Sequence, residues 1–509
     1  MANSEVSNIT VPINNVDTTF DVKYAKGRDD IRDIEAWIGY PDQNDIIGLC
    51  ADFENSTFTR LAGAVGKTAG SDFNAYNMYG GRRLCNLADD GTVNAWYGEA
   101  GYTEDGSNGQ VMVYQPKFYY RTVPIKMEKI AVEEIPATAS TPTEYTDPEG
   151  YHLLKVNYYL SDTARYGFKV HPAFLDPDGN EMDGIYISAY EGSVYDVSGS
   201  AYVLYDDLDI TWDPVTGDPT VTPQTYIYDF DNDKFCSIAG VKPASGMSYA
   251  SGTPQNVLTR PNIEKMCQNR GSKWHSENFQ IHSMEQMLMV VEYATFNMQT
   301  AIGNGCTAYA SGTGNEGVQT GSTASLGNGS GVASSTLQIS SSGVKTTSST
   351  NGKVSIRYRG RENDWGNLWK FTNGLNIWGN GYKRGGIAYY CTDYNYAESK
   401  NTGNYESTGI TCEGFLGVTN AYGYINNFGW SEQFDWGFIV TKAQRTGADS
   451  TKPVGDYQYS TRNLNGYRIA FRGGYWSSGS NAGPFYWYWA YGVGYRSRTI
   501  GARLCYINC

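Results

Sequence analysis

A chain of 509 residues exceeds the size of one ordinary core and predicts two or three domains. Its formal net charge of −14 argues against a nucleic-acid groove or an anionic membrane surface, where Lys and Arg would have to accumulate. Charged residues are only 18 % while aromatics reach 14 %, with 59 Gly and 42 Tyr, a composition that predicts aromatic strands joined by many turns.

The first residues, MANSEVSNITVPINN, have neither the basic start nor the apolar stretch of a signal peptide. No run of about 18 apolar residues follows, so no membrane insertion is expected. Residues 1–45 are polar apart from a helical patch, GRDDIRDIEAWIGY, and are expected to be an attachment or assembly segment. Residues 46–150 form a β-rich region, in which turn signals such as DDG, EDGSNG and GG separate aromatic or β-branched runs. VMVYQPKFYYRTVPI is its clearest strand pair. EEIPATASTPTEYTDPEG can bury little and reads as a surface loop or boundary.

Strands are expected again in GYHLLKVNYYLSD, YGFKVHPAF and DGIYISAYEGSVYDV. Two segments then change period. In LTRPNIEKMCQNRGSKW, Thr259 suits a cap, Pro261 the first turn and Gly271 the end of a helix. In HSMEQMLMVVEYATFNMQTAIGNG, Ser283 and Gln286 have capping-box spacing ahead of a broad apolar band, which predicts a buried helix. Residues 303–352 are a Gly/Ser/Thr tract too polar for a core of its own, hence a long surface insertion.

Little in the chain supports catalysis or metal binding. DFDND at Asp229 and DPDGNEMDG at Asp176 cluster carboxylates, but the sixth and twelfth loop positions are Lys234 and Gly240, or Glu181 and Ile187, so neither is an EF-hand. Both read as hairpin turns. The histidines (His152, His171, His275, His282) make no HExxH or HxH, and His282, ahead of the supposed cap, is expected at the surface. GxSxG and Walker motifs are missing. Nine cysteines without CxxC spacing define no disulfide framework and are expected as buried hydrophobes in a reducing cytoplasm, with Cys505 and Cys509 the closest pair. The expectation is a protein without enzymatic activity, catalytic residues, cofactor or metal.

The terminal stretch GGYWSSGSNAGPFYWYWAYGVGYRSRTIGARLCY carries the strongest signal. Read with period two, Phe485, Trp487 and Trp489 alternate with Tyr486, Tyr488 and Ala490. Trp476 likewise alternates with Tyr475 and Ser477, and Arg496, Arg498 and Ile500 with Tyr495, Ser497 and Thr499. One set calls for burial; the other has the Tyr/Ser mixture of antibody paratopes. A binding surface on a fixed scaffold is expected, with the bulky rings and arginines anchored inward.

The frame of this stretch, RGG-x-W-x-x-G-S-N-A-G-P-F near the start and IGAR near the end, resembles the C-terminal variable region of target-binding proteins made by diversity-generating retroelements. NRGSKW, MEQMLMVVEYATFNMQTAIGNG and YRGRENDWGNLWKFTNGLNIW are similar to the scaffold of that family in phage and prophage tail proteins, and the resemblance covers about three quarters of the chain. It implies an α+β fold: a C-type lectin-like domain of the formylglycine-generating-enzyme type over 151–509, with two helices, mixed or antiparallel strands and long loops, preceded by the β-rich region. The variable region would span 473–506. Its ligand-binding positions would be Tyr475, Ser477, Ser478, Tyr486, Tyr488, Ala490, Tyr491, Tyr495, Ser497 and Thr499, held by the scaffold residues Trp476, Phe485, Trp487, Ile500, Gly501 and Arg503. The function implied is that of a hypervariable receptor-binding adhesin of a phage or prophage virion tail. Its partners would be a bacterial cell-surface protein or glycan and other tail proteins, with a homotrimer expected by analogy with tail fibres. The rival from another class is a structural tail or collar component. An oxidase of the same fold type would need a cysteine pair in PFYWYWAYGVGYRS, which has none, and no EPN or QPD turn marks a calcium-dependent lectin.

Overall fold

The computed structural model describes residues 8–13, 16–21 and 45–507, apart from 132–147, 205–209, 213–218, 222–227, 247–257, 310–316, 341–342, 348–349, 381–385, 397–404, 413–420, 445–446 and 461–464. GRDDIRDIEAWIGY, most of EEIPATASTPTEYTDPEG and Cys509 lie outside the described residues.

The expected two-helix α+β domain of the C-type lectin type is not what forms. Among the described residues are 32 strands and four α-helices, two of them only four residues long, so the molecule is a large multi-sheet β protein. The reason lies in how the period-two runs pair. Runs far apart in sequence join edge to edge into one 14-stranded sheet; the helix Phe279–Tyr293 packs on that sheet, Arg260–Gln268 lies mainly against the strands Trp274–Ser276 and Lys234–Cys236, and the helices form no layer of comparable weight.

Along its main path the large sheet runs Lys169–Val170, Tyr119–Lys129, Tyr151–Ser161, Ala421–Trp430, Tyr457–Ser460, Gly483–Trp489, Asn465–Gly473, Trp369–Asn380, Ile387–Cys391 and Tyr405–Thr411. Ile46–Asp52 pairs with Tyr151–Ser161, which pairs in turn with Ala421–Trp430, so the sheet crosses residue 150 without a break. The two strands read from VMVYQPKFYYRTVPI both exist but do not pair with each other. Tyr119–Lys129 joins the large sheet, whereas Gln110–Pro116 lies in a six-stranded sheet ordered Trp274–Ser276, Leu504–Tyr506, Gly184–Ser188, Gln110–Pro116, Arg83–Leu87 and Val93–Trp96.

Arg260–Gln268 is helical after Thr259 at the N-cap, although the Thr259 side chain makes no capping bond. The longer helix, Phe279–Tyr293, starts before the supposed capping box. Its N-cap is Asn278, whose side chain accepts from the Ile281 N–H, while Ser283 and Gln286 lie buried inside the helix. Every residue from Phe279 to Glu292 is buried, as expected of a helix that is apolar on most sides and enclosed by other elements. His282 is therefore fully buried and not at the surface; its Nε2 lies 2.8 Å from the Pro484 carbonyl.

The described parts of the 303–352 tract take their core from elsewhere. Cys306, Tyr309 and Val318 cluster with Leu368 and Trp476, and Thr323 binds the buried Glu362 carboxylate through both N–H and hydroxyl. Asp176 and Asp229 do head turns: each accepts from backbone N–H groups two residues on, Asp178 and Asp231 respectively.

Candidate functional site

Gly483–Trp489 is an interior strand of the large sheet, parallel to Tyr457–Ser460 on one side and antiparallel to Asn465–Gly473 on the other. Its entry is tight. A Cβ on Gly483 would stand 2.0 Å from Asp456 Oδ1, and the Phe485 N–H donates to Asp456 Oδ2 at 2.7 Å. Burial pushes the Asp456 carboxyl well above its usual range, with the Phe485 N–H opposing. Just before, Gly473 and Gly474 turn the chain with φ of +89° and +79°, a region few side chains tolerate.

On one face of this strand Phe485, Trp487 and Trp489 are fully buried. Trp487 meets Phe279 and His282 of the long helix at centroid distances of 5.9 and 5.3 Å, and Trp489 at 6.1 Å. Phe485 packs on Phe296, Phe428 and Phe438. Tyr486 and Tyr488 occupy the opposite face. Tyr488 is half-buried, whereas Tyr486 is only 7 % exposed and forms floor, 4.6 Å from Trp369 and 5.8 Å from Tyr457.

Cross-strand register turns the tyrosines into a row. Tyr422 pairs with Tyr459, Tyr459 with Tyr488, and Tyr488 with Phe471, on four adjacent strands. The rings stack across that row with interplanar angles of 24°, 10° and 6°. Neighbouring strands lie about 4.8 Å apart, within ring-contact distance, so in-register aromatics on one face are brought together by the backbone, and along this row they meet with nearly parallel planes. Tyr495 extends the row beyond Phe471 at 5.8 Å, and Tyr491 lies on Tyr495 at 3.5 Å and 3°. A second line, Tyr424, Tyr457, Tyr486 and Trp369, meets edge to face. Partial burial, then the Tyr491 hydroxyl, raise the Tyr488 phenol well above its ordinary value, and the same two causes raise Tyr495.

The terminal segment is a strand only over Gly483–Trp489 and again at Ile500–Gly501 and Leu504–Tyr506; residues 474–478 and 490–499 are irregular. The alternation read into YRSRTI is therefore not strand pleat. Arg496 and Arg498, expected inward, are partly exposed; Arg498 lies over the Trp476 ring at 5.5 Å. Among the remaining expected contact residues, Ser477 is exposed and Tyr475, Ser478, Ala490, Tyr491, Tyr495, Ser497 and Thr499 are half-buried. Ser478 Oγ accepts from the Tyr475 N–H, and the Ser497 and Thr499 hydroxyls are 2.9 Å apart. Trp476, Ile500, Gly501 and Arg503 are buried.

Tyr422, Tyr424, Tyr457 and Tyr459 were missed in sequence. AYGY and DYQY carry the same Tyr alternation as FYWYW, and that was the available signal. Nothing in either run shows which strand it will lie beside.

The arginines of the RGG and GAR motifs are anchored to one buried ion cluster. Arg472 reaches Glu277 at 2.5 Å and Asp364 at 3.2 Å; Arg361 reaches the same two at 2.7 and 3.1 Å. Arg503 donates to the carbonyls of Glu362, Ser188 and Ala189, joining the chain end to the six-stranded sheet. Burial raises the Asp364 carboxyl, but Arg361 and then Arg472 outweigh it and hold it well below the usual range. Lys370, paired with Glu191 at 3.0 Å, is lowered by burial to about 8. Among the described residues, Glu277, His282 and Asp364 have metal-ligand proximity, yet the guanidinium groups of Arg361 and Arg472 already supply the cation those carboxylates require.

No protein-family model matches the chain, and no curated protein does. Solved structures similar to it include the Major Tropism Determinant P3c, M1 and U1 variants, at 13 %, 14 % and 15 % identity and TM-scores of 0.22, 0.23 and 0.22. Each alignment covers 87 % of this chain and 73 % of the other, and at such scores the likeness carries no structural argument.

Proposed function

We propose that this protein is a receptor-binding adhesin of a phage or prophage tail, holding a bacterial surface ligand against the tyrosine face by recognition without turnover. The observation that supports the reading best is the division within the terminal segment. Its Trp and Phe side chains are buried, while Tyr488, Tyr491, Tyr495 and the small residues around them stay partly exposed. Stiff phenols supply contact area at low entropic cost, and serine, alanine and glycine leave hollows between them. The sheet fixes Tyr488 in advance, and Tyr491 and Tyr495 stack against it and Phe471, so less ordering is left for the moment of contact.

The test is a Tyr488→Ser, Tyr491→Ser, Tyr495→Ser triple variant, with folding, tail assembly and attachment to a panel of bacterial strains measured in parallel. The adhesin reading expects intact folding and assembly with attachment lost or redirected. Failed assembly would favour a structural tail component whose tyrosines pack against neighbouring subunits.

A further inference from the structure

Resting on the adhesin reading, we infer that the ligand of the tyrosine face is an anionic, hydroxyl-rich polysaccharide of the bacterial surface.

The first ground is which parts of the rings are left over. From Tyr422 through Tyr459, Tyr488 and Phe471 to Tyr495 and Tyr491 each ring is stacked on the next, at angles between 3° and 24°. At the closest contacts, Tyr459 on Tyr488 at 4.6 Å and Tyr491 on Tyr495 at 3.5 Å, the faces are turned on one another and unavailable to a visitor. What half-buried phenols offer from such a stack is their edges and their hydroxyl ends, since tyrosine keeps its apolar body inside and its polar tip wet. Ser497 and Thr499, close after Tyr495 in the chain, add more hydroxyls. A protein partner would gain most by packing its own anchors on open ring faces; a row of hydroxyls and ring edges instead matches the repeated hydroxyls of an extended sugar chain.

The second ground is charge. From Tyr457 to Cys509 the sequence has no Asp, Glu or Lys but six arginines: Arg462, Arg468, Arg472, Arg496, Arg498 and Arg503, in a chain whose net charge is −14. Arg472 is committed to the buried carboxylates and Arg503 to buried carbonyls. Arg496 and Arg498 flank Ser497 beside the row and are partly exposed. Among the described residues Arg496 makes no ion pair, and its Nε is buried without a hydrogen-bond partner. Among the described residues, the largest electrostatic influences on Tyr488 and Tyr495 come from other tyrosines. An acidic polymer is thus repelled by the molecule as a whole and steered to this end of it, where a guanidinium fits carboxylate or phosphate.

The experiment uses the full chain and a strain that it binds in the attachment assay; if it binds none, the adhesin reading itself falls. Cells of that strain are treated separately with periodate, which cleaves sugar diols, and with a broad-specificity protease. Surface polysaccharide purified from them is titrated before and after its carboxylates are reduced and its phosphates removed. Loss of binding with periodate, survival after protease, and at least a tenfold weakening on neutralising the polysaccharide are expected. Arg496→Gln should weaken binding about tenfold and flatten its salt dependence, whereas Arg496→Lys keeps part of both. Binding that is lost to protease but resists periodate overturns the inference in favour of a protein receptor while leaving the adhesin reading standing. Equal affinity for the neutralised polysaccharide, or an Arg496→Gln variant that still melts at the parental temperature and binds unchanged, overturns the anionic assignment.

Discussion

Removing Arg472 should cost more stability than any single change on the tyrosine face. Its guanidinium stands 2.5 Å from Glu277 and 3.2 Å from Asp364, and all three side chains are at most 1 % exposed. Arg472→Met keeps much of the aliphatic volume but leaves two buried carboxylates sharing Arg361 and the more distant Arg503, 3.8 Å from Glu277. Breaking a buried pair from one side costs about 3–5 kcal/mol, because the remaining charge is desolvated and under-compensated. The loss should appear in urea unfolding followed by tryptophan fluorescence as a lower midpoint with an unchanged slope. Adding Glu277→Gln removes one of the stranded charges, so the double variant should be more stable than the sum of the single losses by at least about 1 kcal/mol. A loss below about 1 kcal/mol for Arg472→Met, or strictly additive losses, would refute the view that these motif arginines hold the terminal segment through charge.

Acid should destabilise the fold through its buried imidazoles. Burial lowers His171 to about 3, so the unfolded chain takes up a proton near pH 6.5 that the folded one refuses, and stability present above pH 6.5 is lost as pH falls toward 3. The full effect of His171 is about 5 kcal/mol, and His282, also lowered by burial, acts in the same direction; equal urea midpoints at pH 7 and pH 4 would contradict this. At the alkaline end Tyr486, Tyr488 and Tyr495 keep their protons beyond the usual phenol range, so they favour the fold below about pH 10 and that contribution is lost as pH rises further. An absorbance titration should therefore show a class of tyrosines that ionises only on unfolding; one transition near pH 10 for all 42 would rule it out.

The local parts of the molecule were legible, and the assembled parts were not. Both longer helices announce themselves through 3.6-residue spacing, and FYWYW declares its two faces because one set has only ring atoms to bury. The N-cap was misplaced because Asn278 lies outside the HSMEQ run that drew attention to Ser283. His282 was read as exposed from its position in that same run, but the helix is enclosed on every side, which no local pattern states. Fold class failed for a related reason: a period reports a strand without its neighbours. The parallel pairing of Tyr457–Ser460 with Gly483–Trp489, which lays Tyr459 on Tyr488, is a long-range choice invisible in either run. Likewise Arg496 and Arg498 alternate with Tyr495 and Ser497 as a strand would, yet that stretch folds as a loop over Phe471 and leaves both partly exposed.

On the adhesin reading proposed above, the interior position of Gly483–Trp489 has a mechanical consequence. Tension applied through Tyr488 enters a strand with a hydrogen-bonded neighbour on each flank, one running in the same direction and one in the opposite direction. Such a strand offers no loose border from which bonds can be peeled one after another. Pulling it out requires both flanks to slip together, so the hold on the ligand, and not the strand that bears it, is the weaker link under load.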